Sequence, residues 1–219
     1  MTMRSDLCRQ MLMAGVLLAA ATAHARDVMV ESGDAAAGAT KSALCQGCHG
    51  GNGNSEDATF PRLAGQYAGY IAKQIHDFQH GIRANNETMA GMAATVASRQ
   101  DAFDIGSYFQ SQKMVAKPLT EADPALAAEG ERIFYNGIPE RNLYACVNCH
   151  GDRGKGKGTE IPDFPVIGGQ HRDYLIKELT DLRAGTRAND PAEMMRDIAR
   201  KLNDGEIKEL ANYLSAQLP

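Results

Sequence analysis

Cys45-Gln46-Gly47-Cys48-His49 and Cys146-Val147-Asn148-Cys149-His150 are two copies of one pattern, Cys-x-x-Cys-His. The pattern is the attachment signature of c-type haem. Two thiols one helical turn apart each form a thioether to a haem vinyl group. The imidazole that follows lies under the iron as its proximal ligand. Two copies imply two covalent haem c groups, held by Cys45, Cys48, Cys146 and Cys149, with His49 and His150 as iron ligands.

The remaining cysteine agrees with export. Of five cysteines, only Cys8 lies outside the two motifs, so none is left for a disulfide or a free nucleophile. Residues 1–25 read as a cleaved signal peptide: Arg4 and Arg9 precede an apolar run from Met11 to Ala21, and Ala23-His24-Ala25 is a small-x-small cleavage site. The alternative is a retained anchor, but the run is short for the roughly 20 residues that a membrane span needs. Cys8 precedes the apolar run, which argues against a lipoprotein. Because c-type haem is attached outside the bacterial cytoplasmic membrane, the expected location is the periplasm.

Removal of Arg4, Arg9 and Asp6 takes the 23 basic and 27 acidic residues to 21 and 26. No basic stripe is interleaved with aromatics, which argues against a nucleic-acid partner. The modest negative charge serves solubility and the steering of partners.

The chain is a tandem repeat. Phe60-Pro61-Arg62-Leu63-Ala64-Gly65-Gln66 answers to Phe164-Pro165-Val166-Ile167-Gly168-Gly169-Gln170. Tyr70-Ile71-Ala72-Lys73-Gln74 answers to Tyr174-Leu175-Ile176-Lys177-Glu178, and Arg83-Ala84-Asn85 to Arg187-Ala188-Asn189. The offset is 101 at the cysteines, 104 from Phe60 to Arg83 and 106 between Met89 and Met195, so the second copy carries a few extra loop residues. The expected domains are residues 26–117 and 118–219, with Lys113 to Pro124 as the linker. Each is short of core on its own, and a buried haem makes up the deficit.

Both copies read as helical. Ala-rich stretches, Asp34 to Leu44 and Pro124 to Phe134, lead toward the motifs. A second helix begins near Tyr67 or His171. Its apolar positions fall at helical spacing: Tyr70, Ile71, Ile75 and Phe78 in one copy, Tyr174, Leu175, Leu179 and Leu182 in the other. Gly81 and Gly185 fit helix stops. A last helix starts at Ser98-x-x-Asp101 or Asn203-x-x-Glu206, where a side-chain oxygen takes an orphan backbone N–H.

The sixth iron ligand is sought downstream, in a loop before the last helix. Met89 lies seven residues before Val96 and Met195 seven before Leu202, a shared register that selects these two over Met92 and Met194. A thioether ligand favours ferrous iron and raises the potential. His76 and His80 align with Thr180 and Ala184, so the repeat gives no support for ligation, and they read as surface residues. His171 aligns with Tyr67 and reads as exposed or near the domain interface. Pro61 and Pro165 have two readings. Each is a turn proline or offers its carbonyl to the proximal histidine, whose other ring N–H needs an acceptor.

Across residues 30–219 the chain resembles the dihaem cytochrome c4 family. The residues that carry the likeness are the two haem motifs, the doubled Phe-Pro-x-x-x-Gly-Gln segment, the two tyrosine-bearing helices and the two methionine loops. The resemblance implies an all-α chain of two tandem class I cytochrome c domains, each wrapped around one covalent haem c. It implies a pseudo-two-fold arrangement with the haem propionates near the domain interface. By match of motif, Cys45, Cys48, His49 and Met89 serve the first haem, and Cys146, Cys149, His150 and Met195 the second. It further implies a periplasmic electron carrier, often loosely attached to the membrane, which takes electrons from a donor such as a quinol–cytochrome c reductase and delivers them to a terminal haem–copper oxidase.

Two six-coordinate haems leave no open iron position, so no catalytic residue is expected. The competing reading, an electron-accepting subunit of a periplasmic dehydrogenase, calls for an open or His-ligated haem or a cysteine ligand, and no cysteine is spare. A gas sensor lacks an appended signalling domain. Arg153, Lys155 and Lys157 follow the second motif, whereas Glu56 and Asp57 follow the first. The two loops are either ordinary solvated turns or haem edges of opposite charge.

Overall fold

The computed structural model describes residues 32–115 and 124–219. The signal peptide, the boundaries at 25 and 117 and the central part of the linker lie outside the described residues. The first half contributes α1 (Ala35–Lys41), α2 (Ala43–His49), α3 (Ala68–Gln79), α4 (Glu87–Ala93) and α5 (Arg99–Gln110). The second contributes α6 (Pro124–Asn136), α7 (Val147–His150), α8 (Arg172–Ala184), α9 (Met194–Arg200) and α10 (Asp204–Ser215). The described residues form no strand; an isolated bridge joins Ile138 to Leu143.

The helix faces found by periodicity are the faces that pack. Ile71, Ile75 and Phe78 of α3 meet Ala102, Ile105 and Phe109 of α5 in one core cluster. Leu175 of α8 meets Ile133 and Phe134 of α6 and Ile207, Leu210 and Leu214 of α10 in the other. Phe109 and Phe134 are fully buried, and each contributes about 1.5–3 kcal/mol by leaving water. The last helices start where their side chains predict. Ser98 Oγ accepts from the Asp101 N–H at 3.1 Å. Asn203 and Glu206 form a reciprocal box, at 3.0 and 2.8 Å. Gly185, at φ +79°, ends α8, and Gly81, at φ +67°, follows the end of α3.

The Ala-rich stretches lead to the motifs differently in the two halves. In the first, α1 ends at Lys41 and α2 begins at Ala43, carrying the haem motif on helix. In the second half α6 runs on to Asn136, and a turn over residues 137–146 intervenes before α7. Both stretches nevertheless contain the same close helix crossing. A Cβ on Gly38 would fall 1.9 Å from the Asp104 carbonyl oxygen of α5, and one on Gly130 would fall 2.0 Å from that of Glu209 in α10. Gly38 and Gly130 are therefore equivalent, seven residues before Cys45 but sixteen before Cys146. The extra length of the second half sits mostly here.

The methionines expected in loops lie on short helices. Asn86 Oδ1 caps α4 by accepting from the Met89 N–H at 2.9 Å. Before α9 the chain takes a single turn over Pro191–Glu193, with Ala192 and Glu193 in the left-handed region. Asp190 Oδ2 then accepts from the Arg196 N–H at 3.0 Å.

The two halves are joined by polar contacts that repeat across the duplication. Gln66 Nε2 donates to the Val166 carbonyl at 2.8 Å, and Gln66 Oε1 accepts from the Val166 N–H at 3.1 Å. Gln170 does the same to Arg62, at 2.9 and 2.8 Å. Tyr70 and Tyr174 also cross: their hydroxyls accept from Arg187 and Arg83, at 3.0 and 3.2 Å. Side-chain amides so far from water need such partners, because an unpaired one costs roughly 1–3 kcal/mol.

Candidate functional site

Each half brings a thiol pair and an imidazole to one end of its bundle. Cys45 and Cys146 are half-buried and pack against the core of their own half, while Cys48 and Cys149 are exposed. Burial pushes the Cys45 thiol up and the Cys146 thiol up to about 12. Burial thus keeps Cys45 and Cys146 as neutral thiols. Among the described residues no three His, Cys, Asp or Glu converge on a metal ion.

The two histidines are buried and oriented alike. His49 Nδ1 lies 2.8 Å from the Pro61 carbonyl, and His150 Nδ1 lies 3.1 Å from that of Pro165. A carbonyl only accepts, so Nδ1 carries the proton in both rings and Nε2 keeps its lone pair. Burial lowers both pKa values below the ordinary histidine range and keeps the rings neutral. Neither Nε2 makes a hydrogen bond among the described residues, yet no buried side-chain nitrogen or oxygen there is unpaired. Each Nε2 therefore opens onto accessible space. Of the two readings of Pro61 and Pro165, the structure favours the carbonyl acceptor. The prolines stand where they do because Gly53 O accepts from the N–H groups of Leu63 and Ala64, and Gly154 O from those of Ile167 and Gly168.

Met89 is half-buried and packs against the same cluster as Cys45. Met195 is half-buried, whereas its neighbour Met194 is 42 % exposed. A neutral imidazole with a free Nε2, a thiol pair at the right spacing and a half-buried thioether in each half fit haem c. His76 and His80 are exposed and stack on each other at 4.1 Å. His171 is at the junction of the halves, with Nε2 2.9 Å from Ser55 Oγ.

Sequence reasoning assigned no role to the polar hub between the halves. Glu178 of α8 takes Arg83 and Arg187, each at 2.9 Å. Asn85 Nδ2 donates to Asp181 Oδ2 at 2.8 Å, and Asn189 Nδ2 to Asp77 Oδ2 at 2.7 Å. Burial pushes the Glu178 carboxyl up, but Arg83, Arg187 and Lys177 outweigh that and hold it below its usual range. The available signal was the repeat itself: Arg83/Arg187 and Asn85/Asn189 recur in register, and each pair is joined locally, arginine Nε donating to the asparagine Oδ1 at 3.0 and 3.1 Å.

Comparison with known proteins follows the same lines. The Cytochrome c family model matches residues 127–217. Cytochrome c4 of Pseudomonas aeruginosa is 45% identical, over 84% of this chain and 88% of that protein. The crystal structure of reduced recombinant cytochrome c4 from Pseudomonas stutzeri matches with a TM-score of 0.76 at 41% identity, covering 84% of this chain and 99% of that one. A thiosulfate dehydrogenase electron acceptor of Thiomonas intermedia is 34% identical over 83% of this chain and 82% of its own length. Similarity of this extent, running through both halves, places the chain in the cytochrome c4 family, dihaem c electron-transfer proteins of the class I cytochrome c fold.

Proposed function

We propose that this chain is a periplasmic carrier with two domains, residues 26–117 and 118–219, that passes electrons from a membrane donor such as a quinol–cytochrome c reductase to a terminal haem–copper oxidase. In this reading Cys45 and Cys48 hold the first haem with His49 and Met89 on its iron. Cys146, Cys149, His150 and Met195 serve the second in the same way. The haems supply reversible one-electron chemistry. The observation that carries the reading is the paired His–Pro contact, at 2.8 and 3.1 Å, with Nε2 left open in both halves.

The chain's own residues do three things in this scheme. The carbonyls of Pro61 and Pro165 fix the tautomer and pitch of each imidazole and raise its basicity. The thioethers of Met89 and Met195 favour the reduced state. The hub around Glu178 holds the two sites in a fixed relation, so electron exchange between them needs no domain movement. No helix among the described residues is long and apolar enough to cross a membrane.

A second reading, the electron-accepting cytochrome of a periplasmic dehydrogenase, is favoured by relatives that serve as electron acceptors for thiosulfate dehydrogenase. There the donor is a thiosulfate dehydrogenase rather than a quinol–cytochrome c reductase. Rapid mixing with each kind of donor separates the two readings by which one reduces the protein. Ligation is tested by the near-infrared band of the ferric protein. Met–His ligation at both irons gives this band at an intensity matching two haems. A high-spin or bis-His signal from either iron rejects the ligand assignment.

A further inference from the structure

Each half sends one side chain into the other half's post-motif loop, from the same repeat position. Tyr67 leaves the start of α3, and its hydroxyl donates to the Lys155 carbonyl at 2.6 Å. The same oxygen accepts from the Gly158 N–H at 2.9 Å. Its ring also fills the space over Gly156, where a Cβ would fall 2.6 Å from it. The segment so clamped is bonded to His150 and to the residue that precedes Pro165, its contact partner. Gly156 N–H donates to the His150 carbonyl at 2.6 Å, and Lys157 N–H to the carbonyl of Phe164, next to Pro165, at 3.3 Å.

His171 stands where the repeat places Tyr67. Its Nε2 lies 2.9 Å from Ser55 Oγ and 3.0 Å from the Ser55 carbonyl. Ser55 Oγ in turn donates to the carbonyl of Phe60 at 2.6 Å, so toward His171 it can only accept, and Nε2 is the donor. Phe60 precedes Pro61, the acceptor of His49 Nδ1. The chemistry differs, but the path is the same: a side chain from one half, a loop residue of the other, then the carbonyl segment that orients that half's histidine.

We propose that Tyr67 is a positioning residue for His150 and that His171 is a positioning residue for His49, so that each half sets the electron affinity of the haem in the other. The proposal rests on the reading of His49 and His150 as iron ligands. An Nδ1–H held firmly against a carbonyl makes the imidazole more basic and stabilises ferric iron. Loosening that contact raises the potential of the haem concerned.

The test is Tyr67→Phe in the full-length holoprotein, which keeps the ring over Gly156 and removes only the hydroxyl. The two potentials are followed separately. The second haem is identified as the one whose potential falls in Met195→His. The exchange of the His150 ring N–H is followed by NMR in the reduced state. The expected result is a raised potential at the second haem alone, with His150 N–H exchange faster by roughly fivefold or more, the worth of one hydrogen bond. Ser55→Ala is expected to raise the first potential and leave the second unchanged. A shift in the wrong haem, an equal shift in both, or no shift in either with an unchanged thermal transition overturns the proposal. Failure of the ligand reading itself is distinguishable, because wild-type protein would then show an unligated imidazole resonance for His49 or His150 before any variant is made.

Discussion

The two methionine-bearing helices share a register and almost nothing else. From Met89 the chain runs on through Ala90, Gly91, Met92, Ala93, Ala94 and Thr95, none of them charged. From Met195 it runs on through Arg196, Asp197, Ile198, Ala199, Arg200 and Lys201. The first helix is started by an asparagine cap. The second is entered through two left-handed non-glycine residues and is stitched by ion pairs, Arg196–Asp190 at 2.7 Å and Lys201–Asp197 at 2.7 Å. By contrast, the histidine–proline contact, the Gly38/Gly130 crossing and the Gln66/Gln170 exchange repeat almost atom for atom. After duplication, these contacts around the histidines and between the halves have stayed alike, although the interface pair Tyr67/His171 has changed its chemistry. Groups that face outward have diverged.

Glu178 breaks this pattern inward, because the first half has Gln74 at the same position. Its carboxylate is the anion shared by Arg83 and Arg187, and its side chain is only 8 % exposed. Glu178→Gln leaves two buried guanidiniums short of a counter-charge, at an expected cost of about 3–5 kcal/mol by denaturant unfolding. Gln74→Ala removes a neutral acceptor and is expected to cost less. The effect has a defined pH signature. Since the native carboxyl is held below its unfolded value of about 4.3, its stabilisation is complete above that value. It is lost as pH falls through the lower native value. Wild type and Glu178→Gln should therefore converge in stability under acid conditions. A difference that stays constant from pH 7 to the acid limb would show that charge at this position is irrelevant and that the asymmetry is one of shape.

The helix crossings offer a sharper comparison, since the two halves should respond equally. Gly38→Ala and Gly130→Ala each place a methyl against a backbone oxygen of the last helix, and also 2.9 Å from Tyr108 Cβ or Tyr213 Cβ. Backbone cannot yield as a flexible side chain can, so each substitution is expected to cost about 1–3 kcal/mol. The two losses should agree within experimental error. If one half tolerates the methyl and the other does not, the crossings are not mechanically equivalent, and the 137–146 turn is the first place to look for the slack.

These residues also mark what can be read without coordinates. The faces of α3, α5, α8 and α10 follow from apolar spacing, because a buried helix face writes its own period into the sequence. Caps at Ser98 and Asn203 are legible because donor and acceptor lie three residues apart. The crossing at Gly130 is not legible: a nine-residue difference in spacing to the haem motif hides its match to Gly38. The helices at Met89 and Met195 are seven residues each, too short for a period to emerge. Bonds such as Tyr67 to Lys155 join residues 88 apart and leave no local trace. Only the recurrence of polar residues in both repeats hinted at that interface, and recurrence gives the position of a contact but not its partner.

The smallest expected effect concerns the loops after the haem motifs, where the outward divergence reaches the surface. Lys157 occupies the register of Glu56, and both side chains are exposed, as are Arg153, Lys155 and Asp57. Arg153 has a weak neighbour in Asp152 at 3.9 Å, so the cluster keeps most of its positive field. Lys155 contributes its carbonyl to Tyr67, so reversing its side chain leaves that bond in place. Charge of this kind acts on the rate of encounter rather than on the bound complex, and it is screened over about 8–10 Å at ordinary salt. Lys155→Glu with Lys157→Glu should slow electron exchange several-fold with one partner, the one that docks at the second half, at low ionic strength only. Exchange with a partner that docks at the first half should be unchanged, and the difference should vanish as salt is raised. Equal rates for variant and wild type with both partners at low salt would mean that these loops are ordinary solvated turns and that the uncharged residues after Met89 and the charged ones after Met195 are what distinguish the two ends of the molecule.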